Sequence, residues 1–267
     1  MRARRRRARL RLSIELILLA LVIAGSLIWL AWQPYLRVSR VEVFGADQSL
    51  AAYAQRALPG SYLGIVPRDS ILFVPEAMIR HAILADHPEI AALSIARTGF
   101  TALSIGATSR VAVARWCGLA PSTEGEAPYC YLFDGNGYIF AALSEDASAT
   151  PPTTLNSFVV YDSLEASSTE PLRATLSSAD ELPDAFAFAR KMGGLGSPAE
   201  AVVIRPGAGE ADDLLASGTR ITYVLGEEQQ AYSALTAALK DLDLSDGSVS
   251  YIDLRFPGDV YVKRAGR

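Results

Sequence analysis

Apolar positions recur along this chain with three different periods. The longest block is Leu16–Trp32 (LILLALVIAGSLIWLAW), 17 residues without a charge. As a helix it covers about 25 Å, and with Ser13, Ile14 and the flanks it can cross a hydrocarbon core of roughly 30 Å. Beyond it, period-2 alternation predicts a strand over Val38–Phe44 (VSRVEVF), stopped by Gly45. Helical spacing returns at Leu50–Leu58, with Asp47 or Ser49 as the cap and Pro59-Gly60 as the stop. A loop follows. A second helix begins near Pro75, places Met78, Ile79, Ala82 and Ile83 on one stripe, and ends by Asp86, because His87 precedes Pro88. Strands are predicted over Ile90–Arg97 and Thr101–Thr108. Strand, helix, helix, strand, strand is the order of a unit with two helices on one face of a three-stranded sheet.

The remaining chain reads as mainly β. Val111–Trp116 opens it, and Tyr129–Phe140 (YCYLFDGNGYIF) carries a strong hairpin signal, with Asp134-Gly135-Asn136-Gly137 between apolar arms. Residues 142–157 read as a loop, Ser157–Tyr161 as a short strand, and 163–182 as a polar stretch without assigned structure. Helices are predicted over Leu182–Met192 and Gln229–Leu242, strands over Ala201–Arg205, Arg220–Leu225, Tyr251–Arg255 and Asp259–Lys263. The fold class is therefore α+β: a basic tail (1–12), a membrane segment (13–33), a βααββ unit (37–108) and a β-rich domain with flanking helices (109–267).

Charge distribution changes the reading of the N-terminus. Seven arginines, including Arg4, Arg5, Arg6 and Arg7, crowd residues 1–12 without an acid, whereas residues 34–267 hold 18 cations against 28 acids. Arginines abutting a span hold that end in the cytoplasm and touch lipid headgroups, so the acidic bulk is expected outside the cytoplasmic membrane. Trp29, Trp32 and Tyr35 fall at the far interface, and Glu15 at the inner headgroup level. Gln-Pro-Tyr after Trp32 offers no small-x-small cleavage site, which favours an uncleaved signal anchor over a secretory signal. An arginine-rich arm for nucleic acid is the weaker reading, and no nucleic-acid partner is expected.

Little in the sequence speaks for catalysis. His81 and His87 lie six positions apart across a helix end, not at the i, i+4 spacing of a helical metal pair. Asp134-x-Asn136 with Glu145 echoes a calcium loop, yet Ile139 stands where the sharp turn needs Gly. Gly193-Gly194-Leu195-Gly196 lacks the Lys-Ser/Thr of a phosphate loop. No nucleophile with a base in reach is visible, so no enzyme activity, metal or cofactor is expected. Cys117 and Cys130 flank a twelve-residue loop between two predicted strands. If the strands are neighbours a disulfide fits; otherwise the two are small unpaired core residues.

The order of these elements resembles the bacterial cell-division family FtsQ/DivIB, whose membrane-proximal unit is a POTRA domain. The resembling text is VSRVEVFGADQSL (38–50), HPEIAALSIART (87–98), LSIGATSRVAVARW (103–116), LFDGNGYIF (132–140) and, most specific, YIDLRFPGDVYVK (251–263). The chain departs from the family's habit at Phe100, Ser109 and Ala112. The resemblance implies a non-enzymatic scaffold of the divisome. Its partners would be FtsB/DivIC- and FtsL-type single-span proteins, other divisome membrane proteins and membrane lipid, and it would help control septal peptidoglycan synthesis. It also implies a partner site on the terminal strand and the helix beside it, here Phe256, Gly258, Val260 and Tyr261 with helix 229–242. Independently, a last strand at a sheet edge exposes unpaired N–H and C=O groups that another strand can satisfy. The alternative is a membrane-anchored secretion or assembly component, or a cell-wall hydrolase, using the same near-membrane unit.

Overall fold

The computed structural model describes residues 2–121, 129–143, 155–165, 170–205 and 207–266, with the side chains of the first helix described from Ser13 onward. The chain is mixed α+β and divides into two compact units, Met1–Ser109 and Arg110–Arg267.

The first unit opens with α1 (Arg2–Ala31), of which Ser13–Ala31 is long and apolar enough to cross a membrane. A 3-10 turn, Pro34–Leu36, leads to β1 (Arg40–Phe44). The Asp47 side chain accepts the Ser49 N–H, capping a 3-10 turn that runs into α2 (Ala51–Ala57). The expected loop after it contains a small hairpin, β2 (Ser61–Tyr62) and β3 (Val66–Pro67). α3 (Glu76–Asp86), β4 (Ile90–Arg97) and β5 (Ala102–Ser109) complete the unit. The sheet order is β1-β5-β4, with β1 parallel and β4 antiparallel to β5. Leu103 and Ile105 on β5, Ile79 and Ile83 on α3 and Ala54 on α2 have no exposed surface and form one core. Each buried Leu or Ile side chain contributes about 1.5–3 kcal/mol by leaving water.

The second unit is built on one sheet of β6 (Ala114–Trp116), β7 (Tyr131–Phe133), β8 (Ile139–Ala142), β9 (Val159–Tyr161), β10 (Ala199–Arg205), β11 (Glu210–Leu215), β12 (Arg220–Val224), β13 (Val249–Asp253) and β14 (Tyr261–Arg264). Their spatial order is β14-β13-β12-β11-β10-β9-β6-β7-β8. α4 (Leu182–Met192) buries Leu182, Ala185, Phe186, Ala189 and Met192, the i, i+3, i+4, i+7 stripe of an amphipathic helix. This stripe shares a core with Val202, Ile204, Ile221, Tyr223 and Ile252, the alternate residues of β10, β12 and β13. α5 (Glu228–Ala238) adds Ala231 and Leu235 to that core.

Besides the β2–β3 hairpin and shifts of a few residues at strand ends, three elements differ from the sequence reading. The final helix ends at Ala238 rather than Leu242: Asp241 N–H turns back to Ala238 O, three residues before it and not four, and Asp243 and Asp246 then take the amides of Ser245 and Ser248 in the turns that follow. β11 was not expected at all. The polar stretch 163–182, where described, is folded down: Leu176 is buried in the core and the Asp162 carboxylate accepts the N–H groups of Ser163 and Ser178.

Candidate functional site

Position in the sheet sets the site. β14 is a terminal strand of the second unit's sheet, paired antiparallel with β13 through Tyr251↔Lys263, Ile252↔Val262 and Asp253↔Tyr261. All four of its residues are exposed. The Ala265 N–H donates to Ser248 O. By antiparallel alternation Lys263 and Tyr261 then face β13, and the N–H and C=O groups of Val262 and Arg264 point outward. Among the described residues no segment pairs with that outer side. The opposite edge, β8, differs at its start: Ile139 N–H donates to Ala174 O and Arg173 N–H to Ile139 O, so residues 173–174 occupy the outer side of Ile139.

A tight turn presents this edge. Asp259 N–H donates to Phe256 O at 3.1 Å, and Gly258 takes φ +86°. Pro at the second and Gly at the third position is the requirement of a type II turn. Among the described residues no atom would contact a Cβ at Gly258, so the demand there is conformational. The turn sets the Phe256 and Tyr261 rings edge to face, centroids 5.4 Å apart at 78°. Both rings remain half exposed, at 50% and 56%. Val260 alone of the four expected residues packs against the core.

Behind the turn lies a charge network: Asp253 and Arg255, in sequence a structural pair or solvated flanks, are paired, and their links to β10 and β11 are ones the sequence did not disclose. Arg255 grips Asp253 through Nε at 2.9 Å and Nη2 at 2.6 Å, and reaches Glu210 on β11 through Nη1 at 3.0 Å. Glu210 also accepts from Arg205 Nη1 at 2.9 Å, and Arg205 holds Asp212 bidentately. Asp212 further accepts from the Thr222 hydroxyl. Arg255 holds the Asp253 carboxyl below the ordinary carboxylate range, and Asp212 raises Arg205. On the same side, Arg220 lies over the Tyr251 ring at 5.5 Å, and Arg205, Arg220, Ser250, Tyr251 and Lys263 line a concavity of about 340 Å³. The unit is acidic overall, yet exposed cations (Arg220, Lys263 and Arg264) border this edge. The arrangement can accept an extended chain by backbone pairing and steer it by aromatic and cationic side chains.

The other residues singled out in the sequence lie elsewhere. Cys117 and Cys130 form a disulfide, Cα atoms 4.3 Å apart, one step beyond the Trp116↔Tyr131 pair of β6 and β7. That is the Cα spacing of a non-hydrogen-bonded antiparallel pair. Arg4–Arg7 fall within α1, Trp29 is exposed on it, and Trp32 just beyond it donates its indole N–H to Ile65 O. His87 Nδ1 lies 2.7 Å from Glu89 Oε1. Asp134 forms an ion pair with Arg110 and accepts the Asn136 and Tyr138 amides, a turn-capping role. Glu145, the last residue of the calcium spacing, lies outside the described residues. No protein-family model matches this sequence, and comparison with curated proteins finds no match either.

Proposed function

We propose that this chain is a non-enzymatic, membrane-anchored docking scaffold of the bacterial cell-division machinery. In this reading α1 is a single-pass type II signal anchor, the arginine tail stays in the cytoplasm, and both folded units work outside the cytoplasmic membrane at the septum. The first unit takes the part of a POTRA domain. The terminal strand β14 pairs with an extended segment of an FtsB/DivIC-type partner, itself joined to an FtsL-type protein, and this docking helps control septal peptidoglycan synthesis.

One observation carries the reading: β14 presents its outer backbone groups along its length, flanked by Phe256, Tyr261 and three cations, whereas β8 at the other end of the sheet has its first residue, Ile139, paired with residues 173–174. Unpaired N–H and C=O groups on a strand edge are a template on which another strand can pair. Supporting it are the span and the order of motifs described above.

The test is Val262→Pro in the full chain, expressed with a fluorescent tag. Proline removes one outward N–H and leaves the β13 ladder untouched, a change that edge strands tolerate. Parent protein should form midcell bands and capture a small single-span membrane partner. The variant should keep its stability and lose that partner. Undiminished capture would refute strand addition, and an even membrane signal for the parent would refute the division role.

A further inference from the structure

We propose that the β2–β3 hairpin enters the leaflet at the C-terminal end of α1, with Leu63 and Ile65 as its apolar tip. The inference rests on the reading of α1 as a membrane span. It adds a second contact with the same bilayer, one that fixes the first unit at the surface.

Hydrogen bonds tie the hairpin to the end of the helix. Trp32, one residue past α1, donates its indole N–H to Ile65 O at 2.9 Å. Ile71 N–H donates to Leu36 O and Val38 N–H to Asp69 O, both at 2.7 Å. The segment 60–73 is thereby held against residues 32–38, where the apolar run stops. Its depth is set by the span and not by a flexible linker.

The side chains held there suit a lipid interface better than water. Leu63 is 95% exposed and Ile65 52%, and Tyr35, Leu72 and Phe73 in the two tied segments are also exposed. Arg37 lies over the Trp32 ring and Arg68 over the Tyr62 ring, the pairing of aromatic and cation that headgroup regions favour.

Turn chemistry adds an independent argument. Ile65 N–H donates to Tyr62 O, and Leu63 and Gly64 both hold positive φ, at +51° and +74°. Such turns select Asn-Gly or Asp-Gly. Leucine in the left-handed region is strained, and full exposure gives it no packing to offset that strain. An apolar residue at a strained, exposed tip, hydrogen-bonded to the span end, is accounted for by insertion into lipid.

The experiment places an environment-sensitive fluorophore on Leu63→Cys in the full chain, in vesicles of phosphatidylethanolamine and phosphatidylglycerol. Cys117 and Cys130 are paired and do not label. A second chain carries the probe on Val22→Cys, inside the span. Both probes should emit as in an apolar medium. Lipids with a nitroxide near the headgroup should quench Leu63→Cys, and adding Ile65→Ser should return that probe toward its aqueous emission. Quenching at Val22 with aqueous emission at Leu63 would overturn the hairpin proposal and leave the span intact. An apolar emission at Leu63 that no labelled lipid quenches would overturn it too, by showing protein over the tip. Aqueous emission at Val22 would remove the span, and the proposal with it.

Discussion

The Tyr223 hydroxyl donates to Asp213 Oδ1 at 3.3 Å inside a core where neither side chain has exposed surface. Asp213 Oδ2 has no hydrogen-bond partner among the described residues. Burial pushes the Asp213 carboxyl well above its ordinary value, with Asp212 and Glu228 adding to the rise and the Tyr223 bond opposing it. The folded chain therefore keeps a proton that the unfolded chain releases above about pH 3.9. Where the folded state binds more protons, stability falls as pH rises, here from that value up through the raised folded one. As pH rises above about 4, and until the raised folded value is passed, the urea midpoint of the full chain in detergent should decline. Asp213→Asn, which cannot ionise, should flatten that decline whatever it does to the absolute midpoint. An unchanged slope would show that Asp213 is ionised in the fold.

Arg255 works in the opposite pH window. It lowers Asp253, so their contribution is fully present above the unfolded carboxylate value and is lost as pH falls through the lowered folded one. Arg255→Ala should cost about 1–3 kcal/mol at neutral pH and weaken the acid limb of the stability profile. Arg255→Lys should recover little, because an ammonium cannot hold Asp253 bidentately and reach Glu210 together. Denaturant titration of the three chains decides it.

The Cys117–Cys130 bond closes a loop at a sequence separation of 13. Chain-entropy arguments give such a loop about 3 kcal/mol. Cys117→Ser with Cys130→Ser should lower the unfolding midpoint accordingly, and a thiol reductant should lower the parent to the same value. A variant as stable as the parent would mean that the β6–β7 pair restrains the loop unaided.

Legibility in the sequence tracked the range of the interactions. α4 was readable at both ends because its stripe, its Pro and the glycines after it are local signals. The terminal strand was readable because it follows the last turn. β11 was not: Glu210-Ala-Asp-Asp-Leu-Leu carries acids at positions that become buried. It is a strand because Arg205, Thr222 and Tyr223, from the flanking strands, hydrogen-bond Asp212 and Asp213. Local propensity cannot report such a rescue. The Arg205–Glu210–Arg255 chain was invisible for the same reason, its ends lying 50 positions apart in sequence. The β2–β3 hairpin escaped because its tip is Leu-Gly and not one of the polar pairs that announce such turns.

Gly45 reads in sequence only as the end of a strand, but its place in the fold is stricter. It holds φ +80°, and a Cβ there would overlap the Ala107 carbonyl oxygen on β5. Gly60 has a similar φ of +97° with nothing among the described residues within reach of a Cβ. Gly60→Ala isolates the conformational strain, about 1–2 kcal/mol. Gly45→Ala should cost that and more, since backbone cannot swing aside as a flexible side chain can. Equal midpoints for the two variants would mean that β1 shifts freely along β5.

The aromatic pair at the edge separates stability from recognition. Phe256 and Tyr261 touch each other and are each about half exposed, so little of either is protected by the fold. An edge-to-face pair contributes about 0.5–1.5 kcal/mol when enclosed, and less in water. Phe256→Ala and Tyr261→Ala should each shift stability by under about 1 kcal/mol. Under the docking proposal the same rings become enclosed when a strand adds to β14. Each alanine should then weaken partner binding by roughly tenfold or more, about 1.4 kcal/mol. Because the rings touch, the double variant should lose less than the two single losses combined. Titrating partner onto the four chains measures this. Full additivity would show that the rings meet the partner independently, and unchanged affinity in both single variants would take the aromatics out of the site.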